Sequence, residues 1–151
     1  MTLTPSLELR FATNTLELSL GGAVQDLDKM LAAHVVSTQE DVPMHRTYLR
    51  LIGDGVELVF QDKRLTTVFL YLTKGPENCG IFSGSTDTLD RQVLDKADER
   101  EFSDVLEAKG YEPSKRTYPF SVDWLNDVIR IRLEKRSSDC LVMIDDGSII
   151  R

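Results

Sequence analysis

The sequence predicts an α+β fold: a compact single domain with two helix-plus-antiparallel-hairpin halves, arranged as a pseudo-duplication. Three observations predict it. Between Gly55 and Leu72, Val56, Leu58 and Phe60 alternate with Glu57, Val59 and Gln61, and after the polar run Gln61–Arg64 the segment from Leu65 to Leu72 is β-branched, aromatic and apolar. A two-residue period around a polar turn is the pattern of an antiparallel hairpin with one well-buried arm. Moving on by 73 residues, Ile129, Ile131 and Leu133 take the places of Val56, Leu58 and Phe60, Glu134–Ser137 that of the turn, and Leu141–Ile144 that of the second arm. Helical spacing precedes each hairpin, in Val24, Leu27, Met30 and Leu31 and again in Phe102, Val105 and Leu106.

The elements follow in order. Ser6 to Phe11 and Thr15 to Leu20 read as short strands linked at Asn14, a good turn residue. Gly21–Gly22 breaks the pattern, and Ala23 to His34 reads as an amphipathic helix of about three turns. Ser37 to Met44 is polar, contains Pro43 and reads as a loop, while Arg46 to Ile52 alternates and reads as a strand leading into Gly53–Gly55. After the first hairpin, Thr73 to Ser85 carries Gly75, Pro76, Gly80 and Gly84 and reads as a linker. Thr86 and Asp87 are positioned to cap a helix over Thr88 to Ala97. A second helix over Glu99 to Lys109 is stopped by Gly110. Pro113 to Pro119 is a loop, and Val122–Leu125, Val128–Lys135 and Cys140–Ile144 are strands. Phe60, Phe69, Leu70, Ile131 and Leu133 fall on the apolar faces and are the predicted core, joined by Trp124 and Cys140, with Cys79 in a loop.

At 151 residues the chain has the length of one domain, with halves at approximately 1–74 and 85–146 joined by the Gly/Pro linker. A small sheet with one helix is marginal alone, so the halves are expected to share a core. The net charge of −7 disfavours nucleic acid as a direct partner, because phosphate binding needs a basic face. The acidity is uneven: residues 76–112 hold ten acids and four bases, whereas the rest of the chain is close to balance. Such a run is a solvated helix face or a surface that attracts a basic protein. Met1 to Arg10 lacks the basic and apolar regions of a secretory signal, and no stretch is long and apolar enough for a membrane helix, so the expected location is cytoplasmic, with Cys79 and Cys140 reduced.

The run GVELVFQDKRLTTVFLYL resembles the "GIELVF-DGRL-SVFLY" hairpin of small bacterial immunity-type proteins associated with polymorphic toxin and contact-dependent inhibition systems. The second half is similar in arrangement, with Gly110 and Pro113 resembling the short stop that follows the helix in that group. The chain departs from the pattern at Lys63, where the group usually has Gly, so a different hairpin turn is expected. The resemblance implies a protein that neutralises a cognate toxin by binding it.

The residues themselves carry no motif for catalysis. His34 and His45 lack the HExxH spacing of a metal site, and neither cysteine has a local base. His34 reads as a favourable cation at a helix C-terminus. The Gly-rich stretches are not followed by the Lys-Ser/Thr of a phosphate loop, and Asp26/Asp28, Asp98/Glu99 and Asp145–Asp146 lack calcium-loop spacing. No cofactor or metal is expected. Arg130 and Arg132 read as a solvated outer sheet face, or a polar contact face.

The expected function is a non-catalytic immunity or inhibitor protein that binds and occludes a cognate toxin domain, such as a nuclease. An acidic patch would cover a basic cleft, with charge speeding association. The candidate contact residues are Asp87, Asp90, Asp95, Asp98, Glu99 and Glu101, with Asp145 and Asp146 second. The alternatives are a general adaptor or chaperone-like binding module, and an enzyme whose site is assembled from distant residues. Sequence leaves the oligomeric state open.

Overall fold

A computed structural model describes residues 5–116 and 118–147. It overturns the α+β expectation. The chain is β-rich, 44% strand against 18% helix, and no helix-plus-hairpin halves exist as such. Strands β1 (Ser6–Arg10), β2 (Thr15–Ser19) and β7 (Ser85–Thr86) make a three-stranded sheet in the order β2-β1-β7. The larger sheet contains β3 (Val36–Asp41), β4 (Arg46–Leu51), β5 (Val56–Gln61), β6 (Arg64–Tyr71), β8 (Glu112–Pro113), β9 (Ser121–Leu125), β10 (Arg130–Arg136) and β11 (Asp139–Asp145). Its order is β3-β4-β5-β6-β11-β10-β9-β8, antiparallel throughout. The helices are α1 (Arg91–Lys96) and α2 (Glu99–Ala108), with single 3-10 turns at Val24–Leu27, Met30–Ala33 and Val42–Met44.

Both expected hairpins form. β5 pairs with β6, β10 with β11, and the two hairpins join along β6–β11, where Val142 meets Leu70 and Ile144 meets Val68. The turn between β5 and β6 places Asp62 and Lys63 at φ +51 and +65, so Lys63 takes the left-handed geometry that glycine adopts at lower cost. Alternation decides the two faces of the sheet. The inner face carries Leu49, Leu51, Val56, Leu58, Phe60, Leu65, Val68, Leu70, Trp124, Ile131, Leu133, Val142 and Ile144, all buried. Leu7 and Leu9 of β1, Leu16 and Leu18 of β2, and Phe102 and Leu106 of α2 join them in one hydrophobic cluster. Phe60, Leu70, Ile131, Leu133 and Trp124 are therefore core as expected, whereas Phe69 is half-buried on the outer face because β6 puts it out of phase with Val68 and Leu70.

Several expected elements differ. Ala23–His34 is not an α-helix but two 3-10 turns. Both ends of the segment are pinned: Gly21 and Val24 donate backbone hydrogen bonds to Leu65 and Lys63, and the His34 side chain bonds Asn14 and Asp54. The larger rise of a 3-10 turn lets a short segment cover the span. Ser37–Met44 is not a loop, since β3 occupies most of it. β3 is an edge strand with five of six residues exposed, so no apolar period marks it. Thr73–Ser85 is not a free linker. Cys79 and Phe82 are fully buried, and the segment packs so closely on Gly53 and Gly55 that a Cβ on Gly55 would lie 2.0 Å from the Phe82 nitrogen. The first helix starts three residues later than expected, because Asp90 caps it and the Thr86 hydroxyl instead closes a turn onto the Leu89 N–H. Gly110, at φ +91, ends α2 with the Tyr111 N–H donating to Leu106 O at 3.0 Å.

Candidate functional site

The acidic segment becomes the outward side of α1 and α2. Its acids divide into those that build the segment and those that face solvent. Asp90 caps α1 by accepting from the Val93 N–H at 3.0 Å, and Asp98 caps α2 by accepting from the Glu101 N–H at 3.1 Å. Asp87 accepts from the Glu8 N–H at 3.3 Å, tying the turn to β1. Asp95 pairs with Arg91 at 2.8 Å and Glu101 with Lys96 at 3.1 Å. Glu99 is exposed in the first turn of α2, where the helix dipole favours an acid. Asp104 and Glu107, not singled out from sequence, extend the exposed acidic side along α2. Helical spacing puts Asp104 opposite the buried Phe102 and Leu106 and Glu107 on the flank of that stripe, a signal available from periodicity. Six of the eight expected contact acids thus share one region, and four of those six also hold the local structure through caps or ion pairs.

The other two lie elsewhere. Asp145 is fully buried on the outer face of the sheet, where its Oδ1 accepts from Arg130 Nε at 3.0 Å and from the Gly147 N–H at 2.8 Å. Asp146 follows it, half-buried. The expectation that Arg130 and Arg132 form a solvated face is overturned. Arg130 is 2% exposed and sits between Asp145 and Asp123, while Arg132 makes a fork onto Asp123 at 2.6 and 3.0 Å with its guanidinium 4.6 Å from the Tyr118 ring centre. A bidentate guanidinium–carboxylate pair is the arrangement best able to offset the desolvation of both charges.

A second polar group lies across the sheet on the same face. Glu57 accepts from Arg50 Nε at 2.7 Å and from the Tyr71 hydroxyl at 2.8 Å, and Arg50 reaches Glu77 at 3.2 Å. Burial, with the hydrogen bond to Glu57, holds the Tyr71 phenol well above the ordinary tyrosine range. Burial and the nearby Glu57 carboxylate push the Cys79 thiol up to about 11. Between the two charged groups lie half-buried Phe69, Tyr71, Leu141 and Met143, with the Phe69 and Tyr71 rings stacked at 6.2 Å. A groove of about 680 Å³ runs from Arg50, Glu57 and Tyr48 to the end of β3 at Gln39–Pro43. Every buried side-chain polar atom among the described residues has a hydrogen-bond partner.

The structure also gathers Asn14, His34 and Asp54 from distant positions. His34 Nδ1 lies 2.7 Å from Asp54 Oδ2 and Nε2 lies 2.9 Å from the Asn14 amide, with the Phe11 ring 4.7 Å away. The imidazole side chain is 3% exposed and both its nitrogens are engaged, so it ties the β1–β2 and β4–β5 turns together and offers no open nitrogen to a substrate. The α-helix whose C-terminus His34 was expected to occupy does not form, so that role falls away. Among the described residues no three His, Cys, Asp or Glu side chains are grouped to hold a metal ion, and no helix is long and apolar enough to cross a membrane. Comparison with protein-family models, curated proteins and solved structures gave no match.

Proposed function

We propose that this chain is a non-catalytic, cytoplasmic immunity-type protein that binds a cognate bacterial toxin domain and occludes its basic surface. The observation that supports this reading most is the way the acidic segment is held. Asp90 and Asp98 fix the starts of α1 and α2, Phe102 and Leu106 anchor α2 on the core, and Asp95, Asp104 and Glu107 project outward from that rigid base. A pre-ordered charged surface binds without first losing loop entropy, and its field speeds encounter with an oppositely charged partner. Capture on the immobilised full chain from a lysate of the native host should retain a basic protein whose toxicity the chain suppresses. Asp95→Lys, Asp104→Lys and Glu107→Lys, away from both caps and removing at most the exposed Asp95–Arg91 pair, should leave the fold intact and slow association by about tenfold, with a weaker salt dependence. An association rate unchanged by these three substitutions would place the contact elsewhere.

A further inference from the structure

The two edges of the large sheet are built differently. One ends in β8, only two residues long and containing Pro113, which makes a poor template for another strand. The other ends in β3, six residues without proline or lysine. Exposed apolar side chains stand at both ends of β3, with Val35 69% and Val36 38% exposed at one and Val42 70% and Met44 50% at the other.

The direction of the free backbone groups follows from the register. The Ile52 N–H donates to Val35 O at 2.8 Å, and Val36 lies opposite Leu51. Alternation in an antiparallel ladder then aims the backbone of Ser37, Gln39 and Asp41 at β4, and that of Val36, Thr38 and Glu40 away from the sheet. These outward groups are symmetric about Thr38.

We propose that β3 is a self-association edge, through which two copies of this chain pair antiparallel about a two-fold axis at Thr38. Thr38 then faces Thr38 of the second copy, and Val36 faces Glu40. Every outward N–H and C=O of those three residues is satisfied in both copies, which a register shifted by two does not achieve. Ser37 falls beside Gln39, and Val35 beside Asp41 and next to Val42, so the exposed valines are covered and no carboxylate faces another. The net charge of −7 does not oppose this contact strongly. The acidic helix α2 packs beside β8 and β9, at the far edge of the sheet. Strands about 4.8 Å apart put that helix about 30 Å from β3, several Debye lengths at physiological salt.

Sedimentation velocity on the full chain over a concentration series should show a reversible dimer. Thr38→Lys places two ammonium groups at the axis and should leave a monomer at every concentration, with an unchanged circular dichroism spectrum. Thr38→Cys, in a Cys140→Ser background, should oxidise to a covalent dimer, whereas Gln61→Cys, on the interior strand β5, should not. A parent chain that stays monomeric throughout overturns the proposal. So does a dimer that survives Thr38→Lys, or an edge that captures a different protein while the chain itself remains monomeric.

Discussion

Removing the Asp145 carboxylate tests the buried charge network most directly. Asp145 and Arg130 have side chains 1% and 3% exposed. In Asp145→Ala, Arg130 keeps, among the described residues, only a contact of 3.7 Å to a carboxylate, that of Asp123, whose oxygens are already held by Arg132, and the Gly147 N–H loses its acceptor. Breaking a buried pair from one side leaves a charge desolvated without compensation and costs about 3–5 kcal/mol. At about 2–4 °C per kcal/mol for a chain of this size, the melting temperature should fall by about 10 °C. Urea denaturation followed by the fluorescence of Trp124, which is fully buried and donates to Ser103 Oγ at 2.9 Å, measures the loss. Replacing both partners, as Arg130→Met with Asp145→Leu, removes the orphaned charge and should return most of the stability. A loss below about 1 kcal/mol in Asp145→Ala, or a double variant as unstable as the single, would refute the reasoning.

Phe60→Ala empties a fully buried inner-face position and should cost about 3–5 kcal/mol by the same denaturation assay; a loss under about 0.5 kcal/mol would contradict its place in the core. The buried Cys79 thiol, pushed up to about 11, keeps its proton in the native chain while the unfolded chain releases it near its ordinary value of about 8.5. The native state then holds more protons between these values, so this contribution to stability is full below about pH 8.5 and lost as pH rises through about 11, with Tyr71 acting in the same direction. A thiol reagent at pH 8 should label Cys79 only on unfolding; labelling of the native chain at the rate of a free thiol would contradict the burial.

The legible parts of the fold were those whose pattern depends on one neighbouring layer. β5, β6, β10 and β11 each turn one apolar face to the same core, and although β5 is buried on both faces its outer face carries the polar Glu57 and Gln61, so the period of two survives in sequence and both hairpins could be read from it. α2 was legible because Phe102 and Leu106 mark its buried stripe and Gly110 its stop. β3 was not legible because five of its six residues are exposed, so no buried face writes an apolar period into it. The helix expected over Ala23–His34 failed because its ends are fixed by Leu65, Lys63, Asn14 and Asp54, contacts that local spacing does not encode. Arg130 and Arg132 were placed on the correct face, but their burial depends on Asp123 and Asp145 arriving from two other strands. Clustering of the acids was legible from charge counts. The division of those acids between helix caps and free surface was not, since capping depends on where each helix begins.

The seam between β6 and β11 has a consequence for how the chain reaches this structure. Its partners, such as Val68 and Ile144, are separated by most of the C-terminal half of the sequence. Closure of so long a loop is entropically late, and contacts of this separation slow folding. On a ribosome that makes β6 first, the run Val68–Tyr71 stands as an open apolar strand until Asp139–Asp145 emerges. Completion of the sheet is then the last step, and everything N-terminal to it is at risk of pairing with another nascent chain. Chains ending before Asp139 should therefore bind a hydrophobic dye and aggregate, whereas a soluble, cooperatively melting fragment of that length would show that the N-terminal strands need no seam.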